Sequence, residues 1–174
     1  MLDASNSGTL LKNHDLPLVF AGVDYLFPVY QEVTRYSGLL DDFLEENPES
    51  LLDNELQQQA WPIAESVFQQ HREKDESRYH ELLSTGGASD NIEEIVFAAR
   101  DGRIDTLFLA TETSVPGAID HETNTVEHNP DSEAFAEDLL DYAGVQTYLH
   151  KGTIHCLSAD EMPGRTCAAA IYRY

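Results

Sequence analysis

Three apolar runs in the C-terminal half, separated by helical patterns, constrain the fold most strongly. IDTLFLA at 104–110 and TIHCLSA at 153–159 are short and largely apolar, as buried strands are. CAAAIYRY at 167–174 is a third such run. Between the first two lies EAFAEDLLDYAGVQTYLHKG. There Phe135, Leu139, Leu140, Ala143, Val145 and Leu149 recur at helical spacing, and Gly152 predicts the stop. Upstream, Ser89-Asp90 predicts a cap for the helix NIEEIVFAARDG. Strands alternating with helices predict an α/β fold class, a small mixed sheet flanked by helices.

A long helical segment precedes this layer. Leu51, Leu52, Leu56, Ala60, Ile63, Ala64, Val67, Phe68, Tyr79, Leu82 and Leu83 keep mostly to spacings of three and four. Asn47 reads as its cap, with Pro48 at the first helical position. Pro62 predicts a kink or break near 61–62. The stretch QQHREKDESRYHE at 69–81 is polar on most faces and is expected to project into water. Its Arg72, Lys74 and Arg78, mixed with Glu73, Asp75 and Glu76, predict ion pairs within the helix. Gly86-Gly87 predicts the helix end.

At the N-terminal side, LVFAGV at 18–23 reads as a buried strand after Pro17. DYLFPVYQEVTRY at 24–36 reads either as a helix interrupted by Pro28 or as an extended stretch. The polar, turn-rich stretch 113–133 predicts a small hairpin from its ID and TVEH segments.

Charge narrows the function classes. The 174 residues carry 32 Asp and Glu against 10 Lys and Arg, a formal charge of −22. Broad nucleic-acid binding is thereby excluded, because that affinity comes largely from Lys and Arg neutralising phosphates. Any contact with RNA has to be local, or made through a partner. Arg100, Arg103, Lys151 and Arg165, all near strand ends, are the grouping that would touch phosphates if it converged. Cys156 and Cys167 form no disulfide framework, and a reducing cytoplasm is the simplest setting. No apolar run approaches the ~20 residues of a membrane span. The opening MLDASNSGTLLKNHD lacks the basic and apolar regions of a signal peptide.

The residues suggest no dedicated chemistry. His121 and His128 lie in a polar loop, and no histidine shows the close paired spacing of a zinc site. His155 and Cys156, adjacent in a strand, project to opposite faces and cannot readily share a metal. Acidic pairs such as Asp41-Asp42, Glu45-Glu46, Glu93-Glu94 and Asp160-Glu161 arise from composition alone. GxSxG, Walker-type and GxGxxG patterns do not occur. Cys167, ahead of an apolar strand, reads as core. No catalytic residue, metal or cofactor is expected.

The ordered series GRIDTLFLA, EDLLDYAGVQTYLHKG, TIHCLSADEMPG and AAAIYRY resembles the last domain of the archaeo-eukaryotic release factor and Pelota families. PLVFAGVDYLFPVY, the Ala60-Trp61 helix, the Asp105-Thr106-Leu107 strand and the terminal Tyr172-Arg173-Tyr174 are similar to the bacterial branch, over roughly residues 16–174. The resemblance implies a three-domain parent whose middle domain is similar to ribonuclease H. Its last domain resembles a ribosomal-protein fold that binds kinked RNA, and it mediates partner contacts. On this reading residues 1–36 are the end of a ribonuclease H-like domain, 37–88 a helical linker and 89–174 the release-factor-like α/β domain. The chain is then expected to be part of a longer protein, or else to pair residues 18–30 with the helices or a second copy. The Gly-Gly-Gln tip of true release factors lies in a region this chain does not match, and Gly86-Gly87 is followed by Ala88. The implied function is a non-catalytic, translation-associated adaptor binding the ribosome or a translation factor, in rescue or dormancy. Its expected contact surface is the 111–133 loop and the ends of helix 134–150, with Thr111, Glu112, Asp120, His121, Glu137, Asp141 and His150 as partner-binding residues. The rival reading is a small α/β enzyme or ligand-binding protein using the strand ends near 110 and 158.

Overall fold

The computed structural model describes residues 16–120, 123–128 and 137–174. The chain divides into two compact units, Met1–His71 and Arg72–Tyr174.

In the first unit, residues 18–23 do not form the expected strand. Leu18 and Ala21 make isolated parallel bridges to Leu39 and Leu44. Backbone hydrogen bonds run from Leu18 N to Gly38 O, Leu40 N to Leu18 O, Leu44 N to Phe20 O and Gly22 N to Leu44 O. The partner of this segment is therefore residues 38–44 of the same chain. The approach is close enough to require glycine at 38, where a Cβ would lie 2.5 Å from the Leu16 carbonyl oxygen. Helix α1 (Leu26–Val33) follows and resolves the two readings of 24–36. Pro28 sits in its first turn, where backbone donors have no intrahelical partner to lose. Buried Phe27 stacks on Phe43 at 4.4 Å, and Phe20 and Tyr30 complete an aromatic cluster.

Helix α2 (Asp53–Leu83) starts later than the Asn47 cap implies. Pro48–Ser50 forms only a 3-10 turn, with the Ser50 N–H and hydroxyl both donating to Asn47 O. Pro62 does not break α2. The carbonyl it leaves without a donor belongs to Gln58, and both residues are exposed, so water can take the missing bond.

The second unit is built on a four-stranded sheet. Its strands are β1 (Ala88–Ser89), β2 (Ile104–Ala110), β6 (Thr153–Leu157) and β7 (Ala168–Tyr172), in the order β1-β7-β2-β6. Only β2 and β6 are parallel, joined through helix α4 (Leu139–Leu149). Helix α3 (Ile92–Arg100) precedes β2. One face of the sheet packs Ile95, Ala98 and Ala99 of α3 and Leu140 and Ala143 of α4 on Leu107, Ala168 and Ala170. The other face buries Phe108, Ala169, Ile171 and Leu157 with Tyr79 of α2 and Met162. The alanines of β7 therefore alternate between two cores, and their small size lets helices approach both faces. The fold is a mixed sheet with helices on it, as the sequence implied.

A smaller sheet has β3 (Pro116–Asp120) between β4 (Thr125–His128) and β5 (Glu137–Asp138). The β3–β4 pair is the expected hairpin, in register from Gly117–His128 to Asp120–Thr125.

Four local expectations change. Residues 72–83 of α2 do not project into water. Arg72, Asp75, Arg78, Tyr79 and Leu82 share one helix face that docks on the sheet unit. Arg72 and Arg78 consequently pair with Glu161 and Asp105 rather than within the helix. The cap of α3 is Asn91, whose side chain accepts from Glu93 N, because Ser89 is held in β1. Helix α4 begins at Leu139 rather than 134, because Glu137 and Asp138 pair as β5 with Gly117 and Pro116. Phe135 lies outside the described residues.

Candidate functional site

The C-terminal ends of β2 and β6, where an open α/β sheet would hold a ligand, are closed by the chain itself. The Thr111 N–H and hydroxyl donate to the Leu157 carbonyl at 2.7 and 3.0 Å. Ala110, Leu157 and Met162 are buried together beneath them. Ser158 and Glu161 form a reciprocal capping box on the following 3-10 turn, Ala159–Glu161. Hydrogen bonds from the Ser158 hydroxyl and from Arg72 hold the Glu161 carboxyl below its ordinary value. Among the described residues no group of three or more His, Cys, Asp or Glu is arranged to hold a metal ion.

The same end of the unit presents carboxylates. Glu112 is exposed, with φ of 60°. Glu137 is exposed opposite Gly117, and Asp141 is exposed in the first turn of α4. Asp138 organises this end. Its carboxylate accepts from Leu140 N at 2.9 Å and from Val115 N at 3.3 Å, while Leu139 N donates to Val115 O. Burial pushes its carboxyl up, but hydrogen bonds from the Ser114 hydroxyl and from the Leu140, Val115 and Asp141 N–H groups outweigh that and hold it low. The sequence reading missed Asp138, although an Asp directly before Leu139-Leu140 is a recognisable cap signal.

The remaining candidates lie elsewhere. Asp120 ends β3 and accepts from Thr123 N across the hairpin turn. His121 lies outside the described residues. His150 is the C-cap of α4, at the opposite end of that helix from Asp141. Thr111, Glu112, Glu137 and Asp141 thus share one end of the unit, while Asp120 sits on the hairpin and His150 at the far end.

Around His150 the charge changes sign. The Arg173 guanidinium donates to the His150 carbonyl at 2.8 Å, and Arg173 N donates to Arg103 O. Lys151 is next in sequence. Gly102 packs against the His150 ring, where a Cβ would lie 2.8 Å from it. The basic grouping suggested by sequence is therefore divided. The segments that carry Arg103 and Lys151 come together here, with Arg173 added, although the Arg103 guanidinium lies over the Tyr172 ring, 5.7 Å from its centre. Arg100 is engaged by Asp101 and Asn124, and Arg165 precedes β7 at the other end of the sheet.

Comparison with known proteins finds one family and similar solved structures. The family model described as bacterial archaeo-eukaryotic release factor family 3 matches residues 5–103, more than half of the chain. A search of curated proteins found no match. Among solved structures, the chain is similar to the C-terminal domain of a peptide chain release factor from Methanosarcina mazei. Identity is 13% and the TM-score 0.45, over 71% of this chain and 96% of that one. It is also similar to Pelota from Archaeoglobus fulgidus, with 14% identity and a TM-score of 0.45 over 91% of this chain. The chain spans 49% of that Pelota chain, about half its length. Among the described residues no helix is long and apolar enough to cross a membrane. The match over residues 5–103 makes this chain a member of bacterial archaeo-eukaryotic release factor family 3.

Proposed function

We propose that the protein is a non-catalytic, translation-associated adaptor that binds the ribosome or a translation factor through its α/β unit, in rescue or dormancy. Membership of the release factor family carries this reading. The packed strand ends at Ala110 and Leu157 support it over the ligand-binding alternative, because Thr111 and Met162 occupy the place a ligand would take. The carboxylate-bearing end, with Thr111, Glu112, Glu137 and Asp141, is the first contact surface, with Asp120 on the adjoining hairpin and His121 next to it in sequence. A cytoplasmic setting goes with this role. Self-association, if it contributes, falls on the exposed apolar side of α1, where Tyr25, Leu26 and Val29 lie. The backbone of 18–22 is already paired within the chain.

The test is sedimentation of the tagged full-length protein in sucrose gradients of lysates from growing and stressed cells. Co-migration with ribosomal particles, and enrichment of ribosomal components on pull-down, are expected. Sedimentation wholly apart from ribosomes in both states refutes the proposal.

A further inference from the structure

The two edges of the main sheet are unlike. At one edge β1 is only two residues long. At the other, β6 runs five residues and pairs with β2 alone. That pairing fixes which backbone groups are engaged. Leu157 lies opposite Ala110, and its carbonyl accepts from Thr111 N at 2.7 Å. Backbone groups alternate in direction along a strand, so those of Thr153, His155 and Leu157 face β2. Those of Ile154 and Cys156 face away from it. Among the described residues no hydrogen bond from another segment reaches the backbone of either. The open window is bounded at both ends. The Gly152 N–H donates to the Thr147 carbonyl, and the Ser158 N–H donates to the Glu161 carboxylate at 3.3 Å.

Exposed edges are a template for an added strand, and proteins guard them with lysine, proline, an inward charge or a bulge. β6 reads Thr-Ile-His-Cys-Leu and has none of these guards. Its register runs unbroken from Thr106–Thr153 to Ala110–Leu157. Thr153 and Cys156 are exposed.

Charge decides the occupant. A second copy would bring another −22 to the same place, on a β6 that holds no Lys or Arg to offset it. An extended segment rich in Lys and Arg is instead drawn in by the field of the chain. Acidic residues adjoin the C-terminal end of the window: Asp160 and Glu161 lie in the turn after β6, and Glu112 follows Thr111, which Leu157 holds. We infer that the β6 edge accepts an extended basic segment of a partner protein as a fifth strand of the sheet. The inference deepens the adaptor reading and rests on it for the partner being the ribosome or a translation factor. The Ile154 and Cys156 N–H and carbonyl groups supply the main-chain bonds. Such bonds are individually modest, so charge supplies much of the affinity and salt weakens it.

The test uses the full chain and a labelled ten-residue peptide of alternating lysine and valine. A glutamate–valine peptide and a fully N-methylated lysine–valine peptide, which cannot donate from its backbone, run alongside. Fluorescence anisotropy should show saturable binding of the lysine–valine peptide alone. Amide exchange followed by NMR then locates it. In the free chain the His155 and Leu157 amides, which face β2, should exchange slowly and the Ile154 and Cys156 amides fast. Saturating peptide should slow the latter two by at least about tenfold and leave the former unchanged. Cys156→Pro removes an N–H that points off the sheet, where an edge strand tolerates proline, and should weaken the peptide by at least about tenfold with the circular dichroism spectrum kept. Cys156→Val, which keeps that N–H, should bind as wild type does. If Cys156→Pro unfolds, the N-methylated peptide decides. No binding, binding without slowed exchange at Ile154 and Cys156, or equal binding of the N-methylated or glutamate–valine peptide overturns the inference. Slow exchange of those two amides in the free chain also overturns it, in favour of a second copy where the slowing grows with protein concentration and of the chain covering its own edge where it does not. Peptide binding at the edge by a chain that sediments apart from ribosomes removes the adaptor reading alone. Ribosome co-sedimentation by a chain whose edge binds no peptide removes this inference alone.

Discussion

Two neighbouring positions at the end of α4 carry opposite demands. Gly152 reads in sequence as the residue that stops the helix by turning left-handed, yet Lys151 takes that conformation. Gly152 is required for space instead. A Cβ there would lie 2.5 Å from Thr147 Cγ2 and 3.1 Å from the Ile104 carbonyl oxygen. Lys151→Gly should therefore stabilise the fold by about 0.5–1 kcal/mol, since it relieves a left-handed non-glycine residue. Gly152→Ala should destabilise it by about 1–3 kcal/mol, the range for overpacking a filled site. Urea unfolding of the two single variants checks the pair of signs, and the reverse order would mean the helix end is misassigned. Asp138 supplies a third residue-level expectation. Replacing this cap with alanine should cost about 1 kcal/mol at neutral pH. Its folded carboxyl lies below the ordinary value of 3.8, so the stabilisation is fully present above 3.8 and fades as pH falls through the lowered folded value. Wild type and Asp138→Ala should thus differ at pH 7 and converge in acid. A constant gap across that titration would show that the charge on Asp138 contributes nothing.

Helix α2 shows where sequence periodicity succeeds and where it fails. The three long strands of the main sheet and α3 were legible because their apolar runs report burial directly. Ile104–Ala110 coincides with the run at 104–110, and the other two strands fall inside theirs. The docking of 72–83 was not legible, because its face alternates ions with apolar groups and shows no hydrophobic stripe. Its partners are also distant in sequence: Glu161 is 89 residues from Arg72, His155 is 80 from Asp75, and Asp105 is 27 from Arg78. The candidate site was legible to the same degree. Arg103 and Lys151 could be flagged as basic residues near strand ends, but Arg173 joins them only because β7 runs antiparallel beside β2. The docked face also sets an energetic order. Arg78 and Asp105 are 42% and 39% exposed, so their pair contributes at most about 1 kcal/mol. Tyr79 is fully buried against Phe108 and Met162, and truncating it should cost roughly 3–5 kcal/mol, as for large core aromatics. Chemical denaturation of Tyr79→Ala beside Arg78→Ala checks the ranking. A larger loss in Arg78→Ala would mean that the ion pairs, not the ring, hold α2 to the sheet.

Charge acts on the chain as a whole. With 32 acidic and 10 basic side chains, most carboxylates have no cation to pair with, and compaction brings them closer together. Self-repulsion of this kind opposes the folded state and is screened by salt, while the few exposed ion pairs are weakened by the same salt. The two effects oppose each other, and number decides between them. The described salt bridges are few, most are substantially exposed, and each such pair contributes at most about 1 kcal/mol. The repulsion sums over a net −22. Screening should therefore stabilise the protein, and the melting temperature should rise as sodium chloride goes from about 20 mM to about 500 mM, with most of the gain where the Debye length shortens past ~10 Å. Chloride at these concentrations changes hydrophobic burial little compared with sulfate, so the rise in sodium chloride isolates the charge contribution. Calorimetric scans across that series would check it. A melting temperature that stays flat or falls would mean that the acidic surface is balanced by local pairing after all, and that the field repelling polyanions is weaker than the composition implies.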